Sequence, residues 1–292
     1  MKWFEALTKI DRRIIYSILT ICVILPFFTR FKMRQNIMPQ TKQLFEFIES
    51  IPPNDKAVYI SFDYDPQTMP ECHPMAIALL KHCFTRNIPI ISSSFNVQAP
   101  GLAVDAIATV TDEFNRRAQN REDSLIYGED YVYLGWKSGF IAAMIDMGES
   151  ISGVFPRDYF RTSVDSFPLL QRIDNYKNIA IVIILSASDY PEYWILHPQS
   201  RYGVKIGAGL TAVMAPKYYP FLQTGQLSGM MSGMKGAAEY ENLILTHGYA
   251  EKLGKAETGM NSQSMVHILI IIFIILGNIG YFFIRRQKNS GQ

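Results

Sequence analysis

The chain has 292 residues, 48% of them hydrophobic, with 28 basic and 26 acidic side chains and a mean hydropathy of +0.05. A net charge of +2 gives no strong field toward nucleic acid, and no basic stripe interleaved with aromatics accompanies it, so nucleic-acid binding is set aside. The balance is too apolar for an ordinary soluble domain and too polar for a many-span transporter, while the length allows one large domain or two small ones.

In chain order, a short tail (1–13) with Lys2, Lys9, Arg12 and Arg13 leads into the apolar run Ile14 to Phe28, read as a first transmembrane segment over 14–29. The run is short enough for a signal-peptide core, but no small-x-small site follows. Its Pro26-Phe27-Phe28 end suits an uncleaved anchor. Residues 30–56 form a connector that becomes an amphipathic helix, with Leu44, Phe45, Phe47 and Ile48 on its apolar side. Pro52-Pro53-Asn54-Asp55 ends it by turn chemistry.

From 57 to 246 short apolar runs alternate with helical stretches. Strands are expected at Ala57–Phe62, Ile88–Ser92, Tyr131–Trp136, Ile179–Leu185 and Val204–Ile206, with another at Thr211–Met214. Helices are expected at Pro74–Arg86 and Gly101–Ala118, and through Ile141, Met144 and Ile145. Ile179–Leu185 is the most apolar run and belongs at the centre. Residues 152–176, the longest irregular stretch, read as a flap over one sheet edge. A polar linker (247–263) precedes a second transmembrane segment over 265–284, and a basic tail (285–292) with Arg285, Arg286 and Lys288 follows it.

The expected fold is therefore α/β: a single, mostly parallel sheet with helices on both faces, flanked by one transmembrane helix at each end. It resembles the flavodoxin-like or periplasmic-binding-like kind. The positive charges put both tails in the cytoplasm and the domain outside a bacterial-type membrane. Arg30, Lys32, Arg34 and Lys42, just inside the domain, argue the other way.

The three cysteines carry no metal spacing. Cys22 lies in the first apolar run. Cys72 and Cys83 flank one helix, roughly 16 Å apart, beyond the reach of a disulfide.

In a parallel sheet, ligands bind outside the carboxyl ends of the strands. Those ends read Asp63-Tyr64-Asp65, Ser92-Ser93-Ser94, Lys137-Ser138 and Ser186-Ala187-Ser188-Asp189, with Gly207-Ala208-Gly209 after the fifth strand. Asp63, Asp65, Ser92, Ser93, Lys137, Ser138, Ser186 and Asp189 thus form a candidate ligand-binding rim. Strand ends are also where polar loops begin, so the same pattern fits plain loops.

Asp63-x-Asp65 after an apolar strand resembles the first motif of haloacid-dehalogenase-type phosphatases. The resemblance covers about ten residues. It implies one carboxylate as nucleophile, the other as acid/base, and magnesium as cofactor. Gln67 stands where that motif has Thr or Val, and Glu129-Asp130 precedes a strand rather than following one. The competing reading is a turn begun by Asp65-Pro66. No other cofactor and no metal cluster is indicated.

Gly225, Gly229, Gly233 and Ala237 recur every four residues beside Met230, Met231 and Met234. On a helix they would form a small-residue ridge, for internal packing or for a partner protein or second copy. The function expected from all this is a doubly anchored, non-enzymatic component of a membrane assembly that binds a partner or small ligand. The alternatives are a membrane-anchored hydrolase using Asp63 and Asp65, and a ligand-binding sensor or transport accessory subunit.

Overall fold

β1 (Ala57–Asp63), β2 (Ile90–Ser94), β3 (Tyr131–Trp136), β4 (Ile179–Ser186), β5 (Ile206–Leu210) and β6 (Met230–Ser232) align in one sheet. Every neighbouring pair is parallel, in the order β3-β2-β1-β4-β5-β6. The computed structural model describes residues 11–28, 36–120, 124–252 and 254–290. The chain divides into two compact units, Gln35–Glu257, which holds the sheet, and Met1–Arg34 with Thr258–Gln292. The helices are α1 (Arg12–Phe28), α2 (Pro39–Glu49), α3 (Met69–Thr85), α4 (Pro100–Arg117), α5 (Phe140–Asp146), α6 (Ile151–Val154), α7 (Pro168–Arg172), α8 (Tyr190–Trp194), α9 (Ser200–Tyr202), α10 (Ala215–Gln223), α11 (Gly233–Thr246) and α12 (Lys255–Ser290).

β1 is buried along its whole length and β4 at all but one position, as central strands covered on both faces must be. α2, α3, α4 and α11 cover one face. On the other, α5, α6, α8 and α10 enclose a core built on Tyr59, Trp194 and Tyr218, all fully buried. Each such side chain contributes about 2–3 kcal/mol by burial. α2 runs antiparallel to the strands. Thr41 reaches Met230 O, Leu44 lies against Gly229, and Glu49 meets His82 near the carboxyl end of α3.

The parallel α/β sheet agrees with the sequence reading, and several details differ. α3 begins at Met69 rather than Pro74, because Pro70 falls in its first turn, where a missing N–H costs nothing. Cys72 and Cys83 both lie inside it, buried. β5 is Ile206–Leu210, so Gly207 and Gly209 sit within the strand instead of beyond it. A Cβ would fall 2.8 Å from Leu44 Cδ1 at Gly207 and 2.5 Å from Leu185 Cδ2 at Gly209, so these side-chain tips would have to shift. Thr211–Met214 is a turn, closed by Met214 N–H to Thr211 O. Residues 152–176 contain α6, α7 and a 3-10 turn (Val164–Ser166). α12 starts at Lys255, inside the expected linker, where the Glu241 carboxylate accepts the N–H groups of Ala256 and Glu257.

The largest correction concerns the glycine ridge. Gly225 follows α10 at φ 74°, Gly229 precedes β6, and only from Gly233 is the chain helical. A Cβ at Gly229 would lie 2.4 Å from Leu44 N, and Gly233 is left-handed at φ 61°. Ala237 is fully buried. The small residues form no continuous helix face; Gly229, Gly233 and Ala237 serve close packing inside the domain.

In the other unit, α12 is long and apolar enough over Lys255–Phe282 to cross a membrane, with a mean hydropathy of 2.3. It is the one such helix among the described residues, so the expected second span near the N-terminus does not meet the same length and apolarity. α1 has 17 residues and exposes Ile14, Tyr16, Ile21 and Phe27. Within this unit Ser262 donates to Val23 O, beside Pro26. Lys2, Lys9, Arg30, Lys32 and Arg34, used above for orientation, lie outside the described residues, and so do the side chains of Arg285, Arg286 and Lys288.

Candidate functional site

The strand order reverses between β1 and β4, and in doubly wound sheets the ligand crevice opens at that point. There Asp63 pairs in register with Ser186. Asp63 is 1% exposed and its two oxygens are occupied. Ser61 Oγ donates to one, and the N–H groups of Phe95 and Asn96 donate to the other at 2.6 and 3.3 Å. Burial pushes its carboxyl up to about 6, against the pull of those hydrogen bonds. The Phe95 carbonyl in turn accepts Trp136 Nε1–H at 3.0 Å and Tyr190 O–H at 3.3 Å. One residue, Phe95, thus ties the ends of β1 and β3 to α8 and closes the crevice over Asp63.

The other rim residues separate into inward, locally paired and open. Ser92 donates to Val132 O, Ser93 shares a hydrogen bond with Tyr59, and Ser94 with Tyr133, all buried between strands. Ser186 is buried and accepts Ser188 N–H. Asp65 holds its own turn, accepting Gln67 N–H, Thr68 N–H and the Thr68 hydroxyl. The structure therefore does not bring Asp63 and Asp65 together as a pair facing one ligand. Asp189 lies outside and pairs with Lys217, which also meets Glu192.

Lys137 and Ser138 are different. They border a cavity of about 410 Å³, with Gly139, Asp146, Glu149 and Ser150 on its walls. Lys137 Nζ donates to Val154 O at 2.7 Å, which fixes the ammonium at one side. Gly139 is left-handed at φ 68° and has open space where a Cβ would stand. This arrangement offers a small polar molecule one cation, two carboxylates and hydroxyl groups.

Three groupings escaped the sequence reading. Tyr64 O–H meets His73 Nδ1 at 2.9 Å, and His73 Nε2 meets Asp105 at 3.3 Å. His82 lies between Glu49 (2.8 Å) and the Tyr240 hydroxyl (2.7 Å) and stacks on Phe45 and Tyr249. Burial pushes its imidazole down to about 4 despite Glu49, so the ring is neutral at pH 7, with Nε2–H donating to the carboxylate. The third is an exposed aromatic corner formed by Trp136, Tyr159 and Phe160. All three join residues distant in sequence, so no local motif signals them. Among the described residues no group of three His, Cys, Asp or Glu side chains is placed to hold a metal ion. Comparison with protein-family models, curated proteins and solved structures returns no match to this chain.

Proposed function

We propose that this chain is a membrane-tethered, non-enzymatic binding module, held by apolar helices near both ends with its α/β domain outside a bacterial-type cytoplasmic membrane. The observation that carries the non-enzymatic reading is the engagement of the rim carboxylates. Asp63 accepts the Phe95 and Asn96 amides and Asp65 accepts within its own turn, which gives each carboxylate a structural role. For the tether, α12 exposes Ile271, Ile274, Ile275 and Phe282, and so much uncovered apolar surface is costly in water and favourable in lipid. α1, with 17 residues that begin at Arg12-Arg13, is at the short end for a spanning helix and would cross a thin or locally thinned bilayer.

The Lys137 cavity supports the ligand-binding form of this reading, a sensor or transport accessory subunit. The test is a thermal-shift screen of the full chain in nanodiscs against free amino acids, small carboxylates and sugar phosphates. Stabilisation by one class, abolished by Lys137→Met, is the expected result. Magnesium-dependent hydrolysis of p-nitrophenyl phosphate, lost in Asp63→Asn, would establish the hydrolase alternative instead.

A further inference from the structure

We infer that the corner of the domain where β3 ends is a docking surface for an anionic lipid bilayer. β3 is an edge strand, and the loop around residues 157–163 covers it. Tyr159 N–H donates to Tyr133 O, and Tyr127 O–H reaches the same carbonyl. That backbone contact is enough to protect a sheet edge. The loop does more: it holds Tyr159 42% and Phe160 59% exposed, beside Trp136 at 45%. Tyr159 and Phe160 adjoin, with 5.2 Å between ring centres, and Tyr159 rests on the buried Tyr133 at 5.4 Å. Gly135, next to Trp136, lies directly against Tyr159.

The presentation is built. Asp158 is buried and accepts Thr162 N–H at 2.7 Å and Tyr127 O–H at 2.6 Å, while Arg157 donates to Arg161 O. Arg161 is left-handed at φ 68°, a conformation that costs a non-glycine residue energy and persists only where its surroundings enforce it.

The chemistry of the corner selects its occupant. Tyr and Trp favour the membrane–water interface, and the exposed Arg157 and Arg161 flank the rings where anionic headgroups would meet them. A second copy across a two-fold axis would bring the arginine pairs against each other. The inference rests on the tethered reading above, which keeps a bilayer within reach.

The test uses the full chain, with Trp3→Phe to remove a competing signal, in nanodiscs of phosphatidylglycerol and phosphatidylcholine brominated near the headgroup. Trp194 is fully buried and serves as the unquenched reference. Quenching of Trp136 is expected, with protection from aqueous acrylamide. Arg157→Gln with Arg161→Gln should shift the docked-to-free ratio by ~25-fold, about fivefold per arginine. Phe160→Ser, at an exposed position, should weaken docking with an unchanged melting temperature. Incorporation into discs with Trp136 unquenched and open to acrylamide overturns this inference alone. So does quenching that ignores the arginines, or a corner shielded by a protein in the absence of lipid contact. Failure to incorporate at all overturns the tether beneath it.

Discussion

Replacing Asp63 by asparagine is expected to stabilise the domain at neutral pH, although the residue is central to the crevice. Asp63 is 1% exposed, and its carboxyl is raised from 3.8 to about 6 by burial. The folded protein therefore binds this proton more tightly than the unfolded chain does. The stability associated with the group is fully present below pH 3.8 and is lost as pH rises through about 6. That displacement corresponds to about 3 kcal/mol between the acidic and neutral limits. Asparagine keeps an oxygen for the Phe95 and Asn96 amides, and its NH₂ donates to Ser61 Oγ, whose hydroxyl is free to turn. It mimics the neutral acid and omits the buried charge. Chemical denaturation of the full chain in detergent, followed by tryptophan fluorescence, gives the difference between variant and wild type at each pH. That difference should be about 0.5 kcal/mol at pH 4 and reach about 3 kcal/mol in favour of asparagine by pH 7.5. Asp63→Ala should lose about 2 kcal/mol at pH 3, where the wild-type carboxyl is neutral, because two amides lose their acceptor. A variant less stable than wild type at pH 7.5, or a difference independent of pH, would refute the reasoning.

Other consequences follow from single contacts. Gly229→Leu should cost about 3 kcal/mol in a thermal melt, because its Cβ meets the Leu44 backbone at 2.4 Å. Loss of a partner without loss of stability would contradict that packing. His82, lowered from 6.5 to about 4, contributes stability present above pH 6.5 and lost as pH falls through about 4; its ring protons should show no titration between pH 5 and 7 by NMR. Glu241→Gln leaves one acceptor for the two amides at Ala256 and Glu257, so amide hydrogens at the start of α12 should exchange faster.

The sheet was legible because its strands are short, apolar and β-branched, and because Ile179–Leu185 is too oily for anything but a central position. The polar groups at the strand ends were legible too, since β1 does end at Asp63 and β4 at Ser186. Whether such a group faces a ligand or the interior was not, because that is decided by partners far along the chain. Asp63 is closed by the Phe95 amide, 32 positions away. The glycine spacing misled for a related reason. A four-residue repeat looks helical until Gly225 and Gly233 take left-handed backbone angles, and the pressure that excludes a side chain at Gly229 comes from Leu44. The cost of several glycines in a helix interior was the available warning. The aromatic corner was invisible because Trp136 and Tyr159 belong to separate segments that the edge of β3 brings together.

Alkaline carbonate extraction of membranes bearing the full chain tests the tether most directly. If α1 and α12 lie in the bilayer, the intact protein stays with the pelleted membrane and is released only by detergent. Recovery in the supernatant without detergent would contradict the account.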